Sequence, residues 1–324
     1  MRVFSFDPKE VQGDYRTQGW VHIRNGIDAG FLDELRAFVK SNLDSSVVKG
    51  RGIGGTKQQA VYPFSDAPAV TSHLFDTIAT LCDLKRETMT LSERHIKAYD
   101  ADTPFDVPAH KDRLSSQVSV GLTIEVPARS SLVLYPFDDR EINPFNVAEA
   151  LRQSLPPDRL PEVALEGARE VVIEDEPGDV MIFPGSTMWH KRRGAAGAVN
   201  LYLKFNDFNS DPLGEDPSTP ERREQTLRSI ENGSISERTP TLARRLDTIT
   251  HQHTRADGLA VVTADVWDQP SLGLTESQLA LLRAIDGQRS VGQLAAEQNG
   301  SGVEPSRVET EVRELAAQGV LDLL

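Results

Sequence analysis

The chain has a single cysteine, Cys82, among 324 residues. That excludes an internal disulfide framework and a zinc site built from several thiolates. It suits a reducing compartment, so a cytoplasmic location is expected. Long apolar runs are missing too: no stretch approaches the roughly 18 residues of a membrane-crossing helix. The opening MRVFSFDPKEVQGDYR has no apolar segment or small-residue cleavage site, so no secretory signal is expected. Positive charge is scarce. Lys and Arg number 35 against 49 Asp and Glu, a formal net charge of −14, and Lys191-Arg192-Arg193 is the only run of three cations. Such a surface repels nucleic acid, so neither nucleic acid nor membrane is expected as a partner. Hydrophobic residues at 38% and charged residues at 26% still make an ordinary globular balance, which excludes wholesale disorder.

What is present is patterned. Residues 19–23, Gly-Trp-Val-His-Ile, alternate as a strand does. Asp28 then reads as an N-cap, with Ile27 before it as a staple, and Phe31, Leu32, Leu35, Phe38 and Val39 form one helical stripe. Residues 48–66 are rich in Gly, Lys and Gln and read as a loop or lid; their GRGIGG run lacks the Gly-Lys-Ser/Thr ending of a phosphate loop. Short strands are expected at 93–99, 118–126, 131–135, 170–173, 179–183 and 198–205, separated by Gly, Pro and Asp turns, with a helix at 146–154. This is the pattern of a β-sandwich or barrel. Residues 209–256 are polar, hold Pro212, Pro217, Pro220 and Pro240, and read as a helical connecting region. Residues 257–324 read as strand, helix, helix, helix, strand, with Thr275 as a cap and Gly319 as a stop. The expected fold is mainly β with flanking helices: a barrel over 1–208, a connecting region over 209–256, and a small winged-helix-like domain over 257–324.

One constellation carries chemistry. Of seven histidines, only His110 opens a His-x-Asp triplet, Ala109-His110-Lys111-Asp112. Side chains on extended backbone alternate, so His110 and Asp112 project to one side. His190 comes 80 residues later, after Gly178-Asp179-Val180-Met181-Ile182-Phe183-Pro184-Gly185, a turn, a buried strand and a sharp bend. Two histidines and one carboxylate on one face of a metal leave its other positions open, as non-haem iron chemistry requires. The alternative is a surface pair, His110 and Asp112, with His190 an ordinary edge histidine. His22, His73 and His95 have no carboxylate or histidine at ligand spacing, and His251 and His253 lie in a polar stretch, so none of these is expected to bind metal.

These residues resemble the phytanoyl-CoA dioxygenase-like branch of the 2-oxoglutarate oxygenases. The opening Tyr15-Arg16-Thr17-Gln18-Gly19-Trp20-Val21-His22-Ile23-Arg24-Asn25, Lys97 ahead of the His-x-Asp triplet, and the run from Gly178 to His190 all match that pattern, over roughly residues 10–208. The resemblance implies a double-stranded β-helix, iron(II) held by His110, Asp112 and His190, 2-oxoglutarate and O2 as co-substrates, and release of succinate and CO2. A carboxylate ligand at Asp112, rather than Gly or Ala, implies hydroxylation or desaturation rather than halogenation. The chain departs from the pattern at one point: where the family carries an arginine after the distal histidine, it has Asn200 and Leu201. A buried dicarboxylate needs a cation. The candidates are Lys97, Arg192, Arg193 and Lys204. Arg192 shares the parity of His190, and Lys204 shares that of Asn200 and Tyr202.

The C-terminal segment, Leu281-Leu282-Arg283-Ala284-Ile285-Asp286-Gly287-Gln288-Arg289-Ser290-Val291, with Val308, Val312, Leu315 and Gly319-Val320-Leu321, resembles PqqD-like winged-helix modules. Such modules capture peptides along a strand edge, or serve as structural or dimer contacts. No basic recognition helix is present, so DNA reading is not expected. The expected partner is a small-molecule or peptide substrate, with a homodimer through the C-terminal domain open. The acidic stretch Asp138, Asp139, Arg140, Glu141 and the 48–66 segment are expected to rim the pocket and to suit a positively charged substrate. The competing reading is a non-catalytic barrel with a winged-helix interaction domain.

Overall fold

The residues Val118-Ser119-Val120-Gly121-Leu122-Thr123-Ile124 alternate apolar with small or polar. In the computed structural model, which describes residues 2–42, 50–52, 55–64, 68–137, 139–253, 260–299 and 304–324, they form the strand Val118–Glu125. It lies within an antiparallel seven-stranded sheet. The order is Val21–Ile23, Val180–Phe183, Val118–Glu125, Val199–Asn206, Thr90–Tyr99, Gly55–Val61 and Gly50–Gly52. One face carries Ile96, Val120, Leu122, Ile124, Val180, Ile182, Leu201, Leu203 and Phe205. These join Phe31 and Leu35 of helix Ala29–Asn42, and Leu74, Ile78 and Leu81 of helix Pro68–Cys82, in one buried cluster. Burying each such side chain contributes roughly 1.5–3 kcal/mol, so this face makes the sheet a rigid platform.

The opposite face is what positions the site. Alternation and register place Ser119, Gly121 and Thr123 beside Lys204, Tyr202 and Asn200, which in turn neighbour Glu93, His95 and Lys97. This face looks onto a second antiparallel sheet of Val171–Ile173, Ser131–Tyr135 and Trp189–Arg193. Met181 and Phe183 of the first sheet pack with Leu132, Leu134, Ile173 and Met188. The result is a mainly β jelly-roll core with flanking helices, within the compact unit Met1–Asn209.

Three local features differ from the expectations. A helix Pro8–Gln18 precedes the first strand; Asp7 caps it by accepting from Lys9 N, and Gly19 ends it at φ 79°. None of its residues is fully buried; Val11 and Tyr15 pack half-buried against the core, a pair too short to read as an apolar stripe. Within 48–66, Gly50–Gly52 and Gly55–Val61 are paired strands rather than loop, and Gly55–Val61 gains its ladder from Thr90–Tyr99. Residues 48, 49, 53, 54, 65 and 66 lie outside the described residues.

The stretch 209–256 is not a simple connector either. Pro240–Leu242 pairs with Leu321–Leu323, and Leu246–His253 with Ala260–Val266, both inside a second compact unit, Ser210–Leu324. Pairing over that separation cannot be read from local polarity. In this unit helices Glu276–Ala284, Val291–Asn299 and Pro305–Ala317 bury Leu281, Leu282, Val291, Val308, Val312 and Leu315 together. Thr275 opens the first of them with a complete capping box to Gln278. Among the described residues no helix is long and apolar enough to cross a membrane.

Candidate metal centre

His110 and His190 are joined through their backbones. His110 N–H donates to His190 O at 2.9 Å, and His190 N–H donates to His110 O at 3.0 Å. This mutual pair fixes the two residues opposite one another and brings their rings to a centroid separation of 4.4 Å. Two residues on, Asp112 N–H donates to Gly185 O at 2.9 Å, so the bend after Val180–Phe183 clamps the triplet from the other side. One nitrogen from each histidine and one Asp112 oxygen all lie within 4.8 Å of one another. The expectation that brought these three residues together therefore corresponds to one place in the fold.

Their surroundings suit a metal. His190 Nδ1 lies 2.9 Å from Met188 O, which accepts its proton and leaves Nε2, 3.6 Å from Asp112 Oδ2, as the free donor. Burial pushes the His190 pKa down despite the opposing pull of Asp112, which keeps the imidazole neutral, the form that ligates. Burial alone would raise the Asp112 pKa, but Lys204, His190 and His110 outweigh it and hold the carboxyl well below the usual carboxylate range. Gly185 leaves the space: a Cβ there would overlap Ser119 Oγ and come within 2.5 Å of Asp112 Oδ2. A neutral, oriented histidine, a second histidine and an ionised carboxylate form a donor set that fits iron(II).

Each of the four candidate anchors has its own carboxylate partner. Lys204 donates to Asp112 Oδ2 and, at 3.0 Å, to Ser119 Oγ. Lys97 donates to Glu93 Oε1 at 2.6 Å and sits directly opposite Asn200. Arg192 is buried and grips Asp175 with both Nη atoms, at 2.9 and 2.7 Å. Asp175 also accepts from Thr123 Oγ1 at 2.6 Å, and Thr123 neighbours Asn200. Among the described residues, Arg192 Nε and Asn200 Nδ2 are buried without a hydrogen-bond partner. Arg193 turns outward onto Glu170 at 3.0 Å and takes no part in the interior.

Sequence reasoning missed several participants. Glu93 and Ser119 are set on the interior face by strand register, and Arg113 and Asp175 reach it from loops through their bonds to Glu93 and Arg192. Gly185, immediately after Pro184, was the one visible signal of a close approach. His22 does have a carboxylate partner, Asp179 Oδ2 at 2.7 Å. Asp179 also accepts from Asn25 N and Glu176 N, so this pair holds a turn rather than a metal.

No protein-family model matches the chain, and no curated protein matches it. Solved structures do. The non-heme alpha ketoglutarate dependent carbocyclase SnoK from nogalamycin biosynthesis is 15% identical over 61% of this chain and 84% of its own, with a TM-score of 0.46. A Pseudomonas putida prolyl-4-hydroxylase is 16% identical over 61% and 98%, at 0.43. EctD from S. alaskensis with bound Fe is 13% identical over 62% and 78%, at 0.43. Likenesses this distant carry no functional weight on their own; the site's geometry does.

Proposed function

We propose that this chain is an iron(II)- and 2-oxoglutarate-dependent oxygenase, with His110, Asp112 and His190 as the metal ligands. The observation that carries the reading is their convergence within 4.8 Å, with the His190 tautomer set by Met188 O. With iron bound there, 2-oxoglutarate and O2 supply an oxidant while succinate and CO2 are released, and hydroxylation of an unactivated C–H of a small molecule or peptide residue is the expected outcome. The chain's own part is positioning. Arg192 lies two residues past His190 on the same strand and face, about 6.7 Å along it. That suits the far end of a five-carbon dicarboxylate. Arg192 Nε and Asn200 Nδ2, both buried donors without partners among the described residues, are assigned to that carboxylate. Lys204 already serves the ligand Asp112, and Lys97 serves Glu93. Phe183, 4.7 Å from the His190 ring, and the packed Met181 and Leu134 keep water from the inner wall.

A specific contact favours a second reading. Lys204 already neutralises Asp112, as expected of a barrel that no longer binds metal. Anaerobic addition of iron(II) and then 2-oxoglutarate separates the two. A visible charge-transfer band that disappears in His110→Ala, Asp112→Ala and His190→Ala supports the oxygenase. No band in the unaltered protein establishes the silent barrel instead. We further propose that residues 257–324 form a PqqD-like winged-helix module with a structural or dimer-forming role, a reading their three-helix core and capping box support.

A further inference from the structure

Next to the metal ligands, one carboxylate serves two cations. Glu93 is 2% exposed, and its two oxygens accept from Lys97 Nζ at 2.6 Å and Arg113 Nη2 at 2.6 Å, with His95 Nδ1 3.5 Å away. The side chains of Lys97 and Arg113 are 15% and 19% exposed, so they form the reachable layer above a sealed acid. Among the described residues Arg113 Nη1 has no hydrogen-bond partner. Glu93 sits opposite Lys204, which donates to Asp112, and Arg113 directly follows Asp112 in the chain, which places this cluster beside the metal site.

Among the described residues, the other charges that line the site pair one to one: Lys204 with Asp112, and Arg192 with Asp175; buried Lys111 meets Asp139 and Asp179 meets His22. Four cations thus face three carboxylates. A divalent iron and a doubly charged 2-oxoglutarate cancel each other, whichever cation anchors the latter. One positive charge stays unanswered at Lys97 and Arg113, in a setting where unpaired charge is costly. The acidic rim does not answer it. Asp139 already meets Lys111 at 3.5 Å and Arg159 at 3.6 Å, and Glu141 meets Arg159 at 3.0 Å; Asp138 lies outside the described residues. The expectation of a positively charged substrate therefore loses its basis.

We propose that the substrate to be oxidised is a small molecule bearing one carboxylate, which it presents to Arg113 and Lys97. A single unanswered charge suits a carboxylate better than a phosphate ester, which carries roughly −1.5 to −2. The guanidinium adds the planar fork that matches a carboxylate. This rests on the oxygenase reading above.

The test uses the full chain loaded with Mn(II) and saturating 2-oxoglutarate, with acetate as probe and acetamide as its neutral counterpart. Paramagnetic relaxation of the methyl protons reports residence near the metal. Acetate is expected to show roughly tenfold stronger enhancement than acetamide, the scale of one charge-assisted hydrogen bond. Arg113→Gln should remove that preference and Arg113→Lys should retain part of it. Equal enhancement of the two probes in the unaltered protein overturns the proposal without need of any variant, as does a preference undiminished in folded Arg113→Gln. The iron(II)–2-oxoglutarate band is recorded on the same preparation. Its presence with no acetate preference sinks this proposal alone, and its absence sinks the oxygenase reading and this proposal with it.

Discussion

Lys204 Nζ donates to Asp112 Oδ2, the same carboxylate oxygen that lies 3.6 Å from His190 Nε2. Ser119 Oγ donates to that oxygen as well, at 2.6 Å. The ammonium therefore holds a metal ligand in place and competes with the metal for its charge.

Lys204→Met separates those two effects. Without metal, Asp112 is left as a buried carboxylate lacking its cation, which costs about 3–5 kcal/mol. With metal, one repulsive charge is gone from the site. We expect a lower melting temperature for the metal-free variant, and a larger rise on adding Mn(II) than in the unaltered protein. A smaller rise would show that Lys204 orients Asp112 more than it competes.

Gly185→Ala inserts a Cβ where Ser119 Oγ and Asp112 Oδ2 now stand. The carboxylate has to swing or the bend has to open, at a cost of about 1–3 kcal/mol. Calorimetric titration should show Mn(II) affinity falling at least tenfold while circular dichroism stays native. Unchanged affinity would mean that the bend relaxes without moving Asp112.

The anchor assignment predicts a split between neighbours. Asn200→Ala and Arg192→Met each remove a buried donor assigned to the far carboxylate of 2-oxoglutarate. A charge-assisted hydrogen bond is worth about 1.5–3 kcal/mol, so the Kd should rise roughly ten- to a hundredfold. Arg192→Met also strands Asp175 and should lower stability, whereas Asn200→Ala should not. If Lys97→Met weakens 2-oxoglutarate binding and Asn200→Ala does not, the anchor is Lys97.

Cys82 gives a check on the helix-covered core. Burial pushes its thiol up to about 12, from an ordinary value of 9.0. Thiolate is the reactive form, so iodoacetamide should label the native chain on the order of a thousandfold more slowly than the unfolded one. Rapid native labelling would show that helix Pro68–Cys82 opens locally.

The two compact units have separate buried clusters, so a chain ending at Asn209 should keep the metal site. Mn(II) and 2-oxoglutarate titrations on that shortened chain check this. Light scattering on both lengths shows whether self-association leaves with residues 210–324. Loss of metal binding on shortening would make the chain one cooperative core.

Much of this was legible from residue order. Spacing of two on extended backbone put His110 and Asp112 on one side, Gly185 marked the bend that carries the chain to His190, and Thr275 marked a helix start. Those signals are local: a two-residue repeat, a turn residue, a cap. The helix Pro8–Gln18 escaped because its contact with the core is a pair, Val11 and Tyr15, and not a stripe, although Asp7, Pro8 and Gly19 spell its ends.

Tertiary structure alone decided how the charges are shared. Four cations stood as candidate anchors in the sequence, and parity alone did not choose among them. Strand register and packing give Glu93 to both Lys97 and Arg113, Asp112 to Lys204 and Asp175 to Arg192, and turn Arg193 outward to Glu170. His190 reaches His110 only because their backbones pair across 80 residues of chain. Parity along one strand says which face a side chain takes. Which group it meets on that face depends on neighbours set by register between distant strands, and those exist only once the sheets have assembled.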